Sequence, residues 1–504
     1  MNQGSPVLAE QKLEGRIVPG FYAQHQLDVG PGHRSHIISN PRPPRKLRNL
    51  QGCYTHLSNG TGTGEAVAYG ISVTVKGRIA AFALMLMAVC GQALAQGRPP
   101  VPVVTVQRGD NTPAQQAKPY VILVSLDGFR PDYSQRYGAR NLQALARRGA
   151  SAPQGMIPTY PSVTFPNHYS MVTGLYPENH GIVANSFYDP RRKQQFVYTD
   201  RHTSADGSWY GGVPLWALAE RQGMRTACFF WPGAEAAIGG IRPTYNVFYD
   251  PRIPNERRID QVVAWLRLPP EKRPHFITLY YGDADNAGHQ TGTDSRETAQ
   301  AVRRLDGLIA RLVAALALLR LPVNLVVVSD HGMVNTEGPW IDLQRFADLS
   351  GFQTVGSLLY PPNEAAAARV FSQLRGASDK FVVYRRRQVP AHLHFSRSPR
   401  IGDPVVIPTG PYLIRAYGSG NSSESTPKGM HGYDPQNIEA MRGIFYAAGP
   451  DIRAGVSVAP FENVHLYPLI AKILGLETEP MDGDLRVLQP ILRTAATTAP
   501  NRRP

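Results

Sequence analysis

From residue 118 onward, short unbroken apolar runs alternate with stretches whose apolar residues recur at helical spacing. YVILVSL (Tyr120–Leu126) is apolar at nearly every position and rich in β-branched residues, the pattern of a strand buried on both faces. Similar runs predict strands at Arg225–Trp231, His275–Tyr281 (HFITLYY) and Pro322–Ser329 (PVNLVVVS). Helices are predicted over Tyr133–Arg148, closed by Gly149, and over Trp209–Arg221, Ile259–Leu268 and Ser295–Leu319. This alternation implies an α/β domain, a largely parallel central sheet covered by helices on both faces. The stretch 345–425 is less regular and reads as an inserted subdomain or lid; a strand is expected again at Gly443–Ala448 and a helix at Val464–Leu474. The main domain is therefore placed at 118–488, with 96–117 a Pro/Gln/Ala linker and 489–504 a disordered tail. No internal repeat is visible.

A different pattern lies upstream. VKGRIAAFALMLMAVCGQALAQG sets Lys76 and Arg78 ahead of a twelve-residue apolar run, Ile79–Cys90, followed by the small-x-small signal Ala93-Leu94-Ala95. That is the pattern of a secretory signal peptide over 75–95, with a mature start near Gln96 and a periplasmic or secreted destination. A membrane helix needs about twenty apolar residues, so no stable span is expected after cleavage. Val89 before Cys90 argues against a lipoprotein, which wants a small residue there. Residues 1–74 lack periodicity and are rich in Gly, Pro, Arg and His. They read as a disordered extension, or as a misplaced start with translation beginning near Val75.

Composition narrows the chemistry. At 42% hydrophobic and 18% charged over 504 residues, the chain can bury a large core, which excludes wholesale disorder. Three cysteines (Cys53, Cys90, Cys228) exclude a disulfide framework and a cysteine-based metal site, so any metal must be held by His and carboxylates. The formal charge of +15 suits anionic ligands but does not by itself indicate nucleic-acid binding, and no specific nucleic-acid partner is expected.

In parallel sheets the chemistry gathers beyond the carboxyl ends of the strands, where Asp and His residues are concentrated here. Asp127 follows the first strand in SLDGFR; Asp283, Asp285 and His289 follow HFITLYY in GDADNAGH; Asp330 and His331 follow PVNLVVVS in SDHGM; His431 lies in KGMHGYDP. Singly, such an Asp is most simply a turn former or helix cap. Converging, they form a mixed oxygen/nitrogen set suited to zinc, and more ligands than one tetrahedral site needs suit two ions about 4 Å apart. In PTYPSVTFPNHYSMVTG, Pro166 reads as the first residue of a helix, placing the Thr164 hydroxyl at an anion-favouring N-terminus. Thr164 is then either a plain N-cap or, beside a metal that lowers its pKa, a nucleophile.

Taken together, SLDGFRPDY, PTYPSVTFPNHYSMVTGLYPENHGIVAN, DADNAGH, SDHGM and GMHGYDP resemble the nucleotide pyrophosphatase/phosphodiesterase family of the alkaline phosphatase superfamily, in the family's order over residues 118–480. The resemblance implies an alkaline-phosphatase-like fold with two Zn2+ per chain. One ion would be held by Asp127, Thr164, Asp330 and His331, the other by Asp285, His289 and His431, leaving Asp283 a bystander. Asn185 matches the asparagine that donates to a non-bridging phosphate oxygen. Ala284 stands before Asp285 where the family usually has proline, and Ala287 replaces a small polar residue; neither change touches a ligand.

The implied reaction is a pair of in-line displacements through a covalent phospho-threonine at Thr164, with net retention at phosphorus. Phe165, Tyr249 and Tyr280 resemble the aromatics that flank a nucleobase, so the expected substrate is a small nucleotide phosphodiester. Two rivals share the superfamily, a phosphomonoesterase and a phosphonate hydrolase; a third reading is a secreted metal- or polyanion-binding protein without catalysis. The sequence sets no oligomeric state.

Overall fold

The computed structural model describes residues 100–416 and 426–493. The extension 1–74, the leader-like segment 75–95, part of the expected lid (417–425) and the tail 494–504 lie outside the described residues.

Nine strands form one sheet: β1 (Val104–Thr105), β2 (Tyr120–Leu126), β3 (Ala150–Ser151), β4 (Thr226–Phe229), β5 (Tyr245–Val247), β6 (Phe276–Tyr281), β7 (Val323–Val328), β8 (Phe445–Ala448) and β9 (Val456–Ser457). Their spatial order is β1-β5-β4-β6-β2-β7-β8-β3-β9. The centre, β5-β4-β6-β2-β7, is parallel throughout. Only β1 and β8 run against it. The expected largely parallel α/β architecture is what the chain adopts.

Alternation along β2 builds both faces. Val121 and Leu123 pack into one core with helices α2 (Thr164–Thr173), α3 (Leu215–Arg221) and α8 (Leu466–Leu474). Ile122, Val124 and Leu126 face the other, with α1 (Arg140–Arg148), α4 (Asn255–Leu266) and α6 (Arg296–Leu319). β2 is fully buried because helices cover both of its sides, which is why its sequence is a continuous apolar run. The 345–425 stretch has a small core of its own, in which Leu359, Val370, Leu374, Phe381 and Val406 gather two antiparallel strand pairs and helix α7 (Glu364–Leu374).

Four sequence expectations need correction. The helix expected over Tyr133–Arg148 is two, Tyr133–Arg136 and α1, parted at Gly138, whose φ of +71° no helix accommodates. The helix expected from Trp209 begins only at Leu215, because Gly212 at φ +76° and extended Pro214 hold the chain out of helical geometry. The supposed linker supplies β1, paired antiparallel to β5 and continued by a Val106 N–H bond to Thr244 O. Past Leu488 the chain forms a 3-10 turn at Gln489–Ile491; Ile491 is buried and its carbonyl accepts from Arg453 N.

Candidate active site

Register places the chemistry. β2 pairs with β6 up to Leu126–Tyr281 and with β7 up to Ser125–Val328, so the three strands stop at nearly one level. The next residues are Asp127, the α5 helix (Asp283–Thr291) carrying Asp285 and His289, and Asp330-His331. Asp285 N–H donates to Asp127 O at 3.1 Å, drawing α5 over the β2 end. Gly128 permits this approach: at φ +67° it would hold a Cβ only 2.9 Å from Asp285 Cα. His431 arrives separately, just beyond the short strand Gly429–Met430.

The side chains gather around two adjacent poles. At one, His331 Nε2 lies 3.4 Å from Asp127 Oδ1, 3.2 Å from Asp330 Oδ2 and 3.4 Å from the Thr164 hydroxyl. At the other, Asp285 Oδ1 lies 3.3 Å from His289 Nε2 and 3.6 Å from His431 Nε2. Asp285 also groups with Asp127 and His331, so the poles adjoin. The rings of His331 and His431 stack at 3.6 Å. Asp283 turns away, accepting from Asn255 Nδ2 and lying 3.7 Å from Arg304.

The histidine tautomers follow from their outer partners. His289 Nδ1 is 2.8 Å from Gly429 O, His331 Nδ1 2.8 Å from Gly332 O and His431 Nδ1 2.9 Å from Ser162 O. A carbonyl only accepts, so each Nδ1 carries the proton, and in the neutral ring each Nε2 offers a lone pair. The lone-pair atoms of His289 and His431 nevertheless sit 3.2 Å apart. Three buried carboxylate oxygens in the same cluster, Asp127 Oδ1, Asp285 Oδ1 and Asp330 Oδ2, have no hydrogen-bond donor. Electron-pair donors crowded together without protons are the signature of a cation site, and this donor set fits borderline-soft divalent ions.

Burial and neighbouring charge pull the groups of this cluster in opposite directions. Burial, reinforced by Asp330 and Asp285, pushes the Asp127 carboxyl well above the usual range. Burial acts the same way on Asp330 and Asp285, but the neighbouring imidazoles (His331 and His168; His289, His431 and His331) outweigh it and hold both below that range. Burial drives His431 well below an ordinary histidine, and His331 adds to this.

Thr164 is the first residue of α2. Val163 takes the cap position and Pro166 stands two residues inside the helix, a correction to the expectation that Pro166 opens it. Asn185 lies just before the hairpin Ser186–Asp189/Gln194–Val197, and its Oδ1 accepts from Phe165 N at 2.9 Å. That bond leaves Nδ2 as the free donor end. Phe165 leans edge-on against Tyr198 (5.4 Å) and Phe196 (6.2 Å), while Tyr249, 39% exposed, packs on Phe230 and Tyr280. Tyr280 also reaches the cluster directly, its hydroxyl donating to Asp127 Oδ2 at 2.7 Å.

Three residues of the site escaped the sequence reading. His168, fully buried, groups with Asp127 and Asp330; it stands four residues after Thr164, a spacing that places both on one helix face. Ser162 accepts from Gly432 N and donates to Tyr433 O, so with its own carbonyl it binds the Thr164 loop to the His431 loop. Tyr198 reaches Phe165 only through hairpin pairing, which leaves no local signal.

A mostly parallel sheet with this cluster at its carboxyl ends is the alkaline-phosphatase-like architecture. The sequence profile of the family described as Type I phosphodiesterase/nucleotide pyrophosphatase matches residues 121–434. An uncharacterized pyrophosphatase/phosphodiesterase of Schizosaccharomyces pombe is 35% identical over 400 residues, covering 75% of this chain and 81% of its own. Human ectonucleotide pyrophosphatase/phosphodiesterase family member 7 is 34% identical over 411 residues, covering 78% and 87%. Among solved structures, murine ectonucleotide pyrophosphatase/phosphodiesterase 5, an inactive threonine-to-alanine variant in complex with AMP, superimposes with a TM-score of 0.69 at 28% identity, covering 75% of this chain and all of that one. The chain belongs to the nucleotide pyrophosphatase/phosphodiesterase family. Among the described residues no helix is long and apolar enough to cross a membrane.

Proposed function

We propose that this hydrolase is a two-zinc enzyme that cleaves small nucleotide phosphodiesters through a covalent phospho-threonine at Thr164. The observation that carries the reading is the Thr164 hydroxyl at a helix N-terminus, 3.4 Å from His331 Nε2 and beside carboxylates without donors. Asp127, Thr164, Asp330 and His331 would hold one ion, and Asp285, His289 and His431 the other. When bound, the ions supply Lewis-acid neutralisation of phosphate charge and lower the pKa of the Thr164 hydroxyl. Thr164 Oγ then bonds to phosphorus as the bond to the leaving oxygen breaks, and water cleaves the resulting ester. Asn185 Nδ2, oriented by the bond its Oδ1 accepts from Phe165, donates to a non-bridging oxygen as charge builds. The murine relative with AMP bound is a threonine-to-alanine variant described as inactive, which supports both the nucleophile and the nucleotide. We further propose that the enzyme works in the periplasm or outside the cell, a reading that rests on the leader-like segment 75–95 alone and that N-terminal sequencing of the native protein tests.

The decisive measurement is a rate ratio, an aryl nucleotide diester against an aryl phosphate monoester, before and after chelation. The diester is expected to be the faster substrate, with chelation abolishing turnover and zinc restoring it. A faster monoester would hand the assignment to a phosphomonoesterase; turnover of neither would leave a binding protein.

The aromatics give a second expected result. Removing one stacking partner costs about 1–3 kcal/mol, so Phe165→Ala or Tyr249→Ala lowers kcat/KM for a nucleotide diester roughly 5- to 150-fold. A methyl aryl diester has no base to stack and should barely respond. Equal losses on both substrates would make these side chains packing elements only.

A further inference from the structure

His168 sits at a junction between the elements that build the site. It is fully buried on the second turn of α2, its ring edge-on to Trp231 (4.9 Å) and Tyr280 (5.4 Å), and its carbonyl accepts from Trp231 Nε1 at 3.2 Å. Its Nδ1 is 2.9 Å from Thr164 O and 3.3 Å from Asp330 Oδ2; its Nε2 is 2.8 Å from Ser125 Oγ, two residues before Asp127. Both groups beside Nδ1 are acceptors, so Nδ1 carries the proton, and Nε2 accepts from the Ser125 hydroxyl. One ring therefore bonds the strand end that leads to Asp127 to the backbone of Thr164, and lies against the Asp330 carboxylate at 3.3 Å.

We propose that His168 is the positioning residue of the nucleophile pole: it fixes the spacing between Thr164, Asp330 and the β2 end, and so sets zinc affinity at that pole and the turnover rate. The proposal rests on the two-zinc reading above. Its shape is specific. The Asp285/His289/His431 pole has its own outer partners, Gly429 O and Ser162 O, and among the described residues the hydrogen bonds and ion pair of His168 go to Thr164, Ser125, Trp231 and Asp330 instead. Loss of His168 should thus be felt at one ion and not at the other.

Two substitutions divide the ring's contacts. In His168→Asn the side-chain amide stands near Nδ1 and keeps a donor for Thr164 O; in His168→Gln it reaches toward Ser125 and gives that donor up. Outer partners of metal ligands are worth about 10- to 100-fold in metal affinity or activity. His168→Gln should therefore weaken one of two zinc dissociation constants by about that factor in a chelator-competition titration, leaving the second unchanged. Its kcat on an aryl nucleotide diester should fall similarly while KM stays within about 3-fold. His168→Asn should recover a large part of both losses. If His168→Gln does not fold, Ser125→Ala, which leaves the ring in place and removes only its Nε2 donor, should show a smaller shift at the same single ion. Unchanged zinc constants and kcat in both histidine variants would overturn the proposal, as would equal weakening of both ions, since that is a packing defect. A readout free of zinc separates the two levels: 15N imidazole signals of metal-free protein should show His168 protonated at Nδ1. An Nε2-protonated ring there overturns the positioning role. A wild type with the expected tautomer that binds fewer than two zinc ions overturns the two-zinc reading and leaves the junction standing.

Discussion

Thr164→Ala is expected to abolish diester turnover, lowering kcat by at least about 10³-fold, the scale on which removing a covalent nucleophile acts. The reason is positional. The Thr164 hydroxyl is the oxygen that stands 3.4 Å from His331 Nε2 at the start of α2, and the side chain caps nothing: Val163 holds the cap position. Removing it should therefore cost little stability. Two zinc ions should still bind, because the remaining ligands are carboxylates and imidazoles, each imidazole anchored on a backbone carbonyl. Thr164→Ser keeps the hydroxyl and should keep a measurable fraction of the rate. Near-wild-type turnover in the alanine variant, by steady-state assay with metal content checked in parallel, would remove the covalent mechanism.

His431→Ala should lose one ion selectively. His431 comes from the last of the contributing segments, its Nδ1 is fixed by Ser162 O and its Nε2 lies 3.2 Å from His289 Nε2. Without it, Asp285 and His289 remain as two ligands where a stable zinc site needs three or four. Metal content after dialysis should fall from about two ions to about one per chain, and kcat by about 10²-fold or more, as expected when one half of a two-metal clamp is missing. High external zinc should restore part of the rate. Unchanged metal content would place His431 outside the ligand set.

The sequence showed the central strands and their chemistry because both are local signals. Strand Tyr120–Leu126 is bounded as its apolar run predicts, since burial on both faces demands that composition. Asp127, Asp285, Asp330 and His331 were visible because parallel strands deliver the residues just beyond their carboxyl ends to one rim. The hidden parts depend on contacts distant in sequence. Two residues of β1 read as linker because a short edge strand needs no apolar face. Gly138 looked like an interior glycine of a helix until its positive φ showed the break. His168 and Ser162 look like ordinary core and turn residues, and only their partners on β2, Asp330 and the His431 loop give them roles. Tyr280 was legible as an aromatic beside the site, but not as a donor to Asp127.

The hairpin Ser186–Asp189/Gln194–Val197 joins two jobs in one small piece of structure. At its entrance Asn185 holds Phe165 N, and at its exit Tyr198 bonds back to Asn185 O and supports the Phe165 ring. Its first strand is moored in turn, Tyr188 N donating to the Tyr360 hydroxyl of the inserted subdomain. On the proposed reading, the wall beside the base and the amide on the phosphate are therefore tied into one unit. If that reading holds, substitutions along this hairpin that retune base preference should alter turnover as well as affinity, and base choice and phosphate geometry would have to change together.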